Sequence, residues 1–300
     1  MKTLCIKVDV DTAKGMARGV PVLIDIFGRL SCKATFYIAL GPDNSGKAIR
    51  RVFTRKGFLK KMLRTRAASV YGFPTILYGT ILPAPLIAEK NKEIFSLLRE
   101  SGQEIGIHGY DHVKWHDKLD CMTEEEIAEE LEKASQTFQD CTGQAALTFA
   151  APGWSWNEKA QSEIDKLGIT YTSNTRGRYP FFPVYGDKKY KALEIPTTLP
   201  TLDEIMGESV KDISELSRYY LNLIHDQGES VLTIHAELEG MVYSEWFSSF
   251  MTMLQKEKIQ VLSLGEYAAQ KLNEAGNISS GKICKKIIEG RAGYVASQKG

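Results

Sequence analysis

Six side chains stand out by type and spacing: Asp9 with Asp11, His108 with His112, and His235 with Glu237. Carboxylates two positions apart, imidazoles four positions apart and a late histidine supply nitrogen and oxygen ligands, a base and an acid. Metal-assisted attack of water on an amide or ester carbonyl needs these parts, with one position on the ion left open. The glycines Gly106 and Gly109 beside the histidine pair permit tight backbone turns there. His116 and His225 lack such context and read as surface or helix residues.

The elements that must position these groups follow from periodicity. From Leu4 to Asp11 the chain alternates, with Leu4, Ile6, Val8 and Val10 on one strand face and Cys5, Lys7, Asp9 and Asp11 on the other. Both carboxylates therefore point the same way. Further strands are predicted at 34–40, 104–108, 146–150, 169–173, 193–195, 230–236 and 259–264. Helices are predicted at 20–30, 91–101, 158–167, 210–225 and 244–256. Thr123-Glu124-Glu125-Glu126 reads as a capping box opening another helix that ends before Gly143. Strand–helix alternation predicts a mainly parallel sheet, open or closed into a barrel, with ligands at the carboxyl ends of the strands. Asp9 and Asp11, His108, Pro152 to Trp154 and His235 all fall at such ends. The tail from 276 to 300, rich in Lys and Gly, reads as a loose or surface-wrapping end of a catalytic unit spanning 1–275.

Three hundred residues suit one large α/β domain. A formal net charge of +1 with 25% charged residues argues against disorder and against a uniformly basic nucleic-acid binder. The five cysteines are scattered and never form a CxxC pair, so neither a disulfide framework nor a cysteine zinc site is expected. A strand carrying two aspartates directly after Met1-Lys2 does not fit a secretory signal, and a cytoplasmic setting is expected.

Residues 41–90 form an insertion of unusual composition. Between Asp43 and Glu89 there is no acidic residue, whereas Lys47, Arg50, Arg51, Arg55, Lys56, Lys60, Lys61, Arg64 and Arg66 crowd its first half. Phe58, Leu59, Met62 and Leu63 recur at helical spacing opposite several of these cations, and an uncharged stretch follows. Gly72, Pro74, Gly79, Pro83 and Pro85 would break a spanning helix. The pattern predicts docking at a membrane interface, with Arg51, Lys56, Phe58, Lys60, Leu63 and Arg64 facing lipid.

Asp-x-Asp on a first strand, His-x-x-x-His after a middle strand and a histidine closing a late strand together resemble the polysaccharide deacetylases. These form the nodulation-protein-B homology family of carbohydrate esterases. The segments 8–12, 41–44, 67–72, 195–201 and 233–240 resemble a branch that deformylates an aminosugar carried on a polyprenyl phosphate, over nearly the whole chain. The resemblance implies a distorted (β/α)7 barrel, with Asp11, His108 and His112 as metal ligands, Asp9 as general base and His235 as general acid. It implies one divalent ion, and two histidines with a carboxylate suit zinc, cobalt, manganese or iron alike. The partners implied are a lipid-linked sugar and an anionic membrane surface on the cytoplasmic side of an inner membrane, with no nucleic acid. The oligomeric state stays open.

Where many family members carry Arg-x-Pro to brace the base, this chain has Ala150-Ala151-Pro152. Arg176 is a candidate replacement, a partner for substrate phosphate, or a surface residue. Trp154 either stacks on a sugar face or belongs to the core. Glu237 either meets the substrate or forms a structural pair with His235. The rival readings are a deacetylase of another N-acylated sugar and a non-catalytic polyprenyl-phosphate-binding protein.

Overall fold

The structure, a computed structural model, describes residues 2–50, 73–274 and 278–299. Its first strand, β1 (Thr3–Val10), is buried along its whole length. The alternation explains how. Leu4, Ile6, Val8 and Val10 pack into the large core between sheet and helices, while Cys5 joins a smaller core with Tyr37, Tyr171 and Leu193. That inner face also carries Lys7 and Asp9, both buried.

The strands β2 (Thr35–Ile38), β3 (Glu104–Ile107), β4 (Thr148–Phe149), β5 (Tyr171–Thr172), β8 (Leu193–Glu194), β9 (Glu229–His235) and β10 (Gln260–Leu262) complete the main sheet. It runs β10-β1-β2-β3-β4-β5-β8, with β9 on the other side of β1. All of these pairings are parallel. The segment after β8 reaches back to β9: the amides of Thr198 and Leu199 donate to Val231 O at 3.1 Å, and the hydroxyls of Thr197 and Thr233 meet at 2.7 Å. The circuit β9-β1-β2-β3-β4-β5-β8 thus closes as a distorted seven-stranded barrel, as expected. Strands of two residues account for the distortion, since each leaves most of its connection to loops.

The helices α1 (Val20–Arg29), α2 (Lys92–Glu100), α3 (His112–Lys118), α4 (Glu124–Thr142), α5 (Glu158–Lys166), α6 (Ile213–Gln227), α7 (Ser244–Lys256) and α8 (Leu264–Asn273) follow the strands. The capping box at Thr123 forms, with Glu126 bonding back to the Thr123 amide, and Gly143 ends α4 in a left-handed conformation. No helix among the described residues is long and apolar enough to cross a membrane.

The tail is not loose. Residues 280–299 form β11 (Ser280–Ile287) and β12 (Tyr294–Gln298), an antiparallel pair that continues through β6 (Phe182–Tyr185) to β7 (Lys188–Lys189). The Arg176 amide donates to Ala296 O at 2.9 Å, and the Gln298 amide donates to Arg176 O at 2.7 Å. Val295, Ala296 and Ser297 are buried as a result. Arg51, Lys56, Phe58, Lys60, Leu63 and Arg64 lie outside the described residues.

Candidate active site

Asp11, His108 and His112 come together at the carboxyl rim of the barrel. Asp11 Oδ1 lies 3.4 Å from Nε2 of each histidine, and one ligand atom from each residue falls within 4.8 Å of the others. Asp11 Oδ1 is buried and makes no hydrogen bond. An orphaned carboxylate oxygen facing two imidazole nitrogens is a donor set suited to a divalent ion of nitrogen and oxygen preference. Burial works against the charged form of Asp11, but His112 and His108 outweigh it and hold the carboxyl well below the ordinary range.

Local structure fixes each ligand. His108 Nδ1 lies 2.8 Å from Ala150 O; donation there leaves Nε2 free to ligate. His112 opens α3, whose cap Asp111 accepts from the Lys114 amide at 2.9 Å and from Asn44 Nδ2 at 2.6 Å. Asp43 in turn accepts from the Ala13 amide at 2.9 Å. Gly41-Pro42-Asp43-Asn44 therefore ties the loops of two ligands together.

One Glu237 oxygen is taken up by the turn that carries Asp11, while Oε2 is buried without a hydrogen bond. Glu237 Oε1 accepts from the Asp11 amide at 3.1 Å, the Thr12 amide at 2.9 Å and Thr12 Oγ1 at 2.7 Å, so it positions that turn. A Cβ at Gly15 would fall 2.0 Å from that oxygen, which reserves the position for glycine. Burial first, then the Asp11 charge, pushes Glu237 up to about 8.

Asp9 lies beside the triad, with Oδ2 3.7 Å from His108 Nε2. The cation beside it is Lys7, not Arg176. Lys7 Nζ stands 3.6 Å from Asp9 Oδ1 and donates to Ser173 O at 3.1 Å. Burial lowers the lysine's pKa, opposed by Asp9. Ser173 O is aimed by Glu194, a buried carboxylate that accepts from Thr172 Oγ1 at 2.6 Å and from the Asn174 and Thr175 amides at 2.8 Å. Arg176 is committed elsewhere: Nη1 contacts both Glu204 carboxylate oxygens at 2.8 and 2.9 Å, and Nη2 donates to Leu199 O. The inward lysine was visible in the strand alternation, but nothing in the sequence showed which cation would be buried against the base.

His235 ends β9 in register with Asp9. Its Nδ1 is buried without a hydrogen bond, and its amide donates to Glu239 Oε2 at 2.8 Å. Burial disfavours the charged ring, but Asp203 first, then Asp11, Asp9 and Glu239, raise its pKa above the ordinary value. Asp203 went unremarked in the sequence; it lies in a second capping box, formed by Thr201 and Glu204. Trp154 is 2% exposed; Nε1 donates to Thr197 Oγ1 at 3.2 Å. His116 stands edge-on to His112 with ring centroids 6.2 Å apart, so it lines the site despite its unremarkable sequence context.

Fold and site together define a barrel hydrolase with a carboxylate and two histidines placed to hold a metal. The chain belongs to the polysaccharide deacetylase family, whose model matches residues 5–172. That family is metal-dependent. The chain is 36% identical over 298 residues to a Shewanella sediminis protein named as a probable 4-deoxy-4-formamido-L-arabinose-phosphoundecaprenol deformylase, ArnD; 98% of this chain and 93% of the relative are covered. A protein of the same name from Wigglesworthia glossinidia brevipalpis is 34% identical, over 95% of this chain and 98% of the relative. A solved structure of a probable polysaccharide deacetylase from Pseudomonas aeruginosa PAO1 superposes with a TM-score of 0.64 at 14% identity, covering 91% of each chain.

Proposed function

We propose that this protein hydrolyses the formamide of 4-deoxy-4-formamido-L-arabinose carried on undecaprenyl phosphate. The observation that carries the chemistry is the grouping of Asp11, His108 and His112 around one orphaned oxygen, with Asp9 and His235 beside it. The choice of sugar and carrier is supported by the two relatives that are 34–36% identical over nearly the full length.

Asp11, His108 and His112 would hold a divalent ion, which when bound would supply Lewis acidity toward the formyl carbonyl and the attacking water. Asp9 takes the proton of the attacking water, with Lys7 as its counter-charge. His235 gives a proton to the departing nitrogen, and its raised pKa keeps the donor form available. The products are formate and the free 4-amino sugar.

The reaction belongs to the pathway that adds aminoarabinose to lipid A, which reduces outer-surface negative charge and underlies polymyxin resistance. It takes place on the cytoplasmic leaflet, where the enzyme is peripheral. The test is incubation of the metal-loaded protein with the formamido and acetamido forms of the arabinose phosphoprenol. Formate release from the first is expected. Acetate release with no formate would instead support a deacetylase.

A further inference from the structure

The C-terminal strands build something the barrel alone would lack. Between β11, β12 and the loops after α3 and β4 lies a cavity of about 590 Å³, well within the range of a small-ligand site. Its walls include His116, Trp154, Trp156, Lys285, Arg291 and Tyr294. It adjoins the metal triad, because His116 is both a wall of this cavity and the edge-on neighbour of His112. His116 is seated tightly: a Cβ on Gly153 would fall 2.6 Å from its Cε1.

The cavity wall at Trp154 carries Arg291, with two further cations packed on the same indole. The Arg291 guanidinium lies 4.4 Å from the Trp154 ring centroid, and Arg176 and Lys7 approach the same indole at 5.1 and 5.3 Å. Arg291 has only 10% of its side chain exposed and stands 3.6 Å from Glu204, which already takes Arg176. The turn that carries it is close-packed, since a Cβ on Gly290 would fall 2.0 Å from Glu204 O. The other cation, Lys285, pairs with Asp120 at 2.5 Å, both groups being more than half exposed. Such an exposed pair is weak and can yield to a stronger anion. A planar guanidinium held against an indole in the wall of this cavity is suited to phosphate oxygens.

We propose that this cavity binds the phosphodiester of the substrate, with Arg291 as its main contact and Lys285 as a second. This rests on the proposed lipid-linked substrate and adds to it a recognition site outside the barrel. In a 4-formamido glycosyl phosphate the reacting group and the phosphate lie at opposite ends of the sugar ring. With the formamide at the metal triad, the phosphate would reach across His116 and Trp154 into the cavity. The prenyl chain would leave past Ile287 and Tyr294, apolar side chains that are 65% and 64% exposed and face each other across the strand pair.

The experiment compares two soluble compounds, the octyl phosphodiester of the formamido sugar and its octyl glycoside without phosphate. Wild type should prefer the phosphodiester in kcat/KM, and Arg291→Gln should erase that preference by raising KM about tenfold or more, the loss of a charge-assisted hydrogen bond. Lys285→Gln, at an exposed position, should reduce the preference in the same direction. Equal loss on both compounds, or a preference kept in both variants, overturns the proposal. If wild type deformylates neither compound, the functional reading fails. The cavity is then tested alone by tryptophan fluorescence with octyl phosphate, which should bind wild type and not Arg291→Gln; equal binding to both overturns it.

Discussion

Lys7 Nζ lies 3.6 Å from Asp9 Oδ1, and both side chains are buried on the inner face of β1, two residues apart. The ammonium also donates to Ser173 O, so the counter-charge to Asp9 comes from the same strand as Asp9. Arg176, the other candidate, is occupied by Glu204.

Lys7→Met leaves the Asp9 carboxylate buried without that partner, and removing one member of a buried pair is strongly unfavourable. Turnover should fall roughly 10- to 100-fold, with Lys7→Arg retaining more activity because it keeps a cation there. Metal content, read by elemental analysis, should stay near one ion per chain, since none of the three ligands is touched. Wild-type turnover in Lys7→Met would remove the lysine from the mechanism.

Asp9→Asn keeps the shape of the group and removes its basicity. The expected loss in kcat is about 10²-fold or more, the scale of a general base, again with metal retained. Loss of metal alongside activity would make Asp9 a ligand instead of a base.

The alkaline limb of the pH–rate profile should report His235. Its pKa is raised by surrounding carboxylates, Asp203 first among them, against the effect of burial. Asp203→Asn removes that attraction, so the protonated donor is lost at lower pH and the alkaline limb should move down. A limb that stays in place would assign the proton donor elsewhere.

Glu239 offers a stability test. Burial pushes it from the ordinary 4.5 up to about 7, while it accepts the His235 amide. The unfolded chain releases this proton near 4.5 and the folded one near 7. Between those values the unfolded state binds fewer protons, and stability falls as pH rises. In metal-stripped protein, denaturant midpoints should show this decline, and Glu239→Gln, which keeps a carbonyl oxygen for the amide, should flatten it. An unchanged slope would contradict the assignment.

The parts of this molecule that were legible in the sequence are those set by local rules. Alternation in β1 put Asp9 on the inner face, the Thr123 box opened α4 where expected, and α7 runs from Ser244 to Lys256 as its periodicity implied. The parts that were not legible depend on distant partners. Alternation puts Lys7 on the inner face with Asp9, but only the fold shows that the loop ordered by Glu194, nearly two hundred residues away, meets it there. The tail looks loose by composition, yet β11 finds its partner in β6, about a hundred residues earlier. Glu237 carries the same difficulty, since only the fold shows that its Oε1 meets the amides of Asp11 and Thr12.

The basic insertion makes the last prediction, and it separates a lipid-linked substrate from a soluble one. Each Lys or Arg near an anionic leaflet contributes ~1 kcal/mol, so even half of the cations between Lys47 and Arg66 would give several kcal/mol of salt-sensitive attraction. Converting Arg51, Lys56, Lys60 and Arg64 together to glutamine should weaken co-sedimentation with anionic vesicles and raise KM for the polyprenyl substrate. A short-chain soluble analogue should be processed almost as before, because its access to the metal triad does not run through the membrane. Since Arg291 lies on the C-terminal turn, its own variant should leave vesicle binding intact while losing the preference for phosphate. If the quadruple variant sediments like wild type and treats both substrates alike, the insertion is not a docking element, and the lipid-linked reading then rests on the relatives and the C-terminal cavity alone.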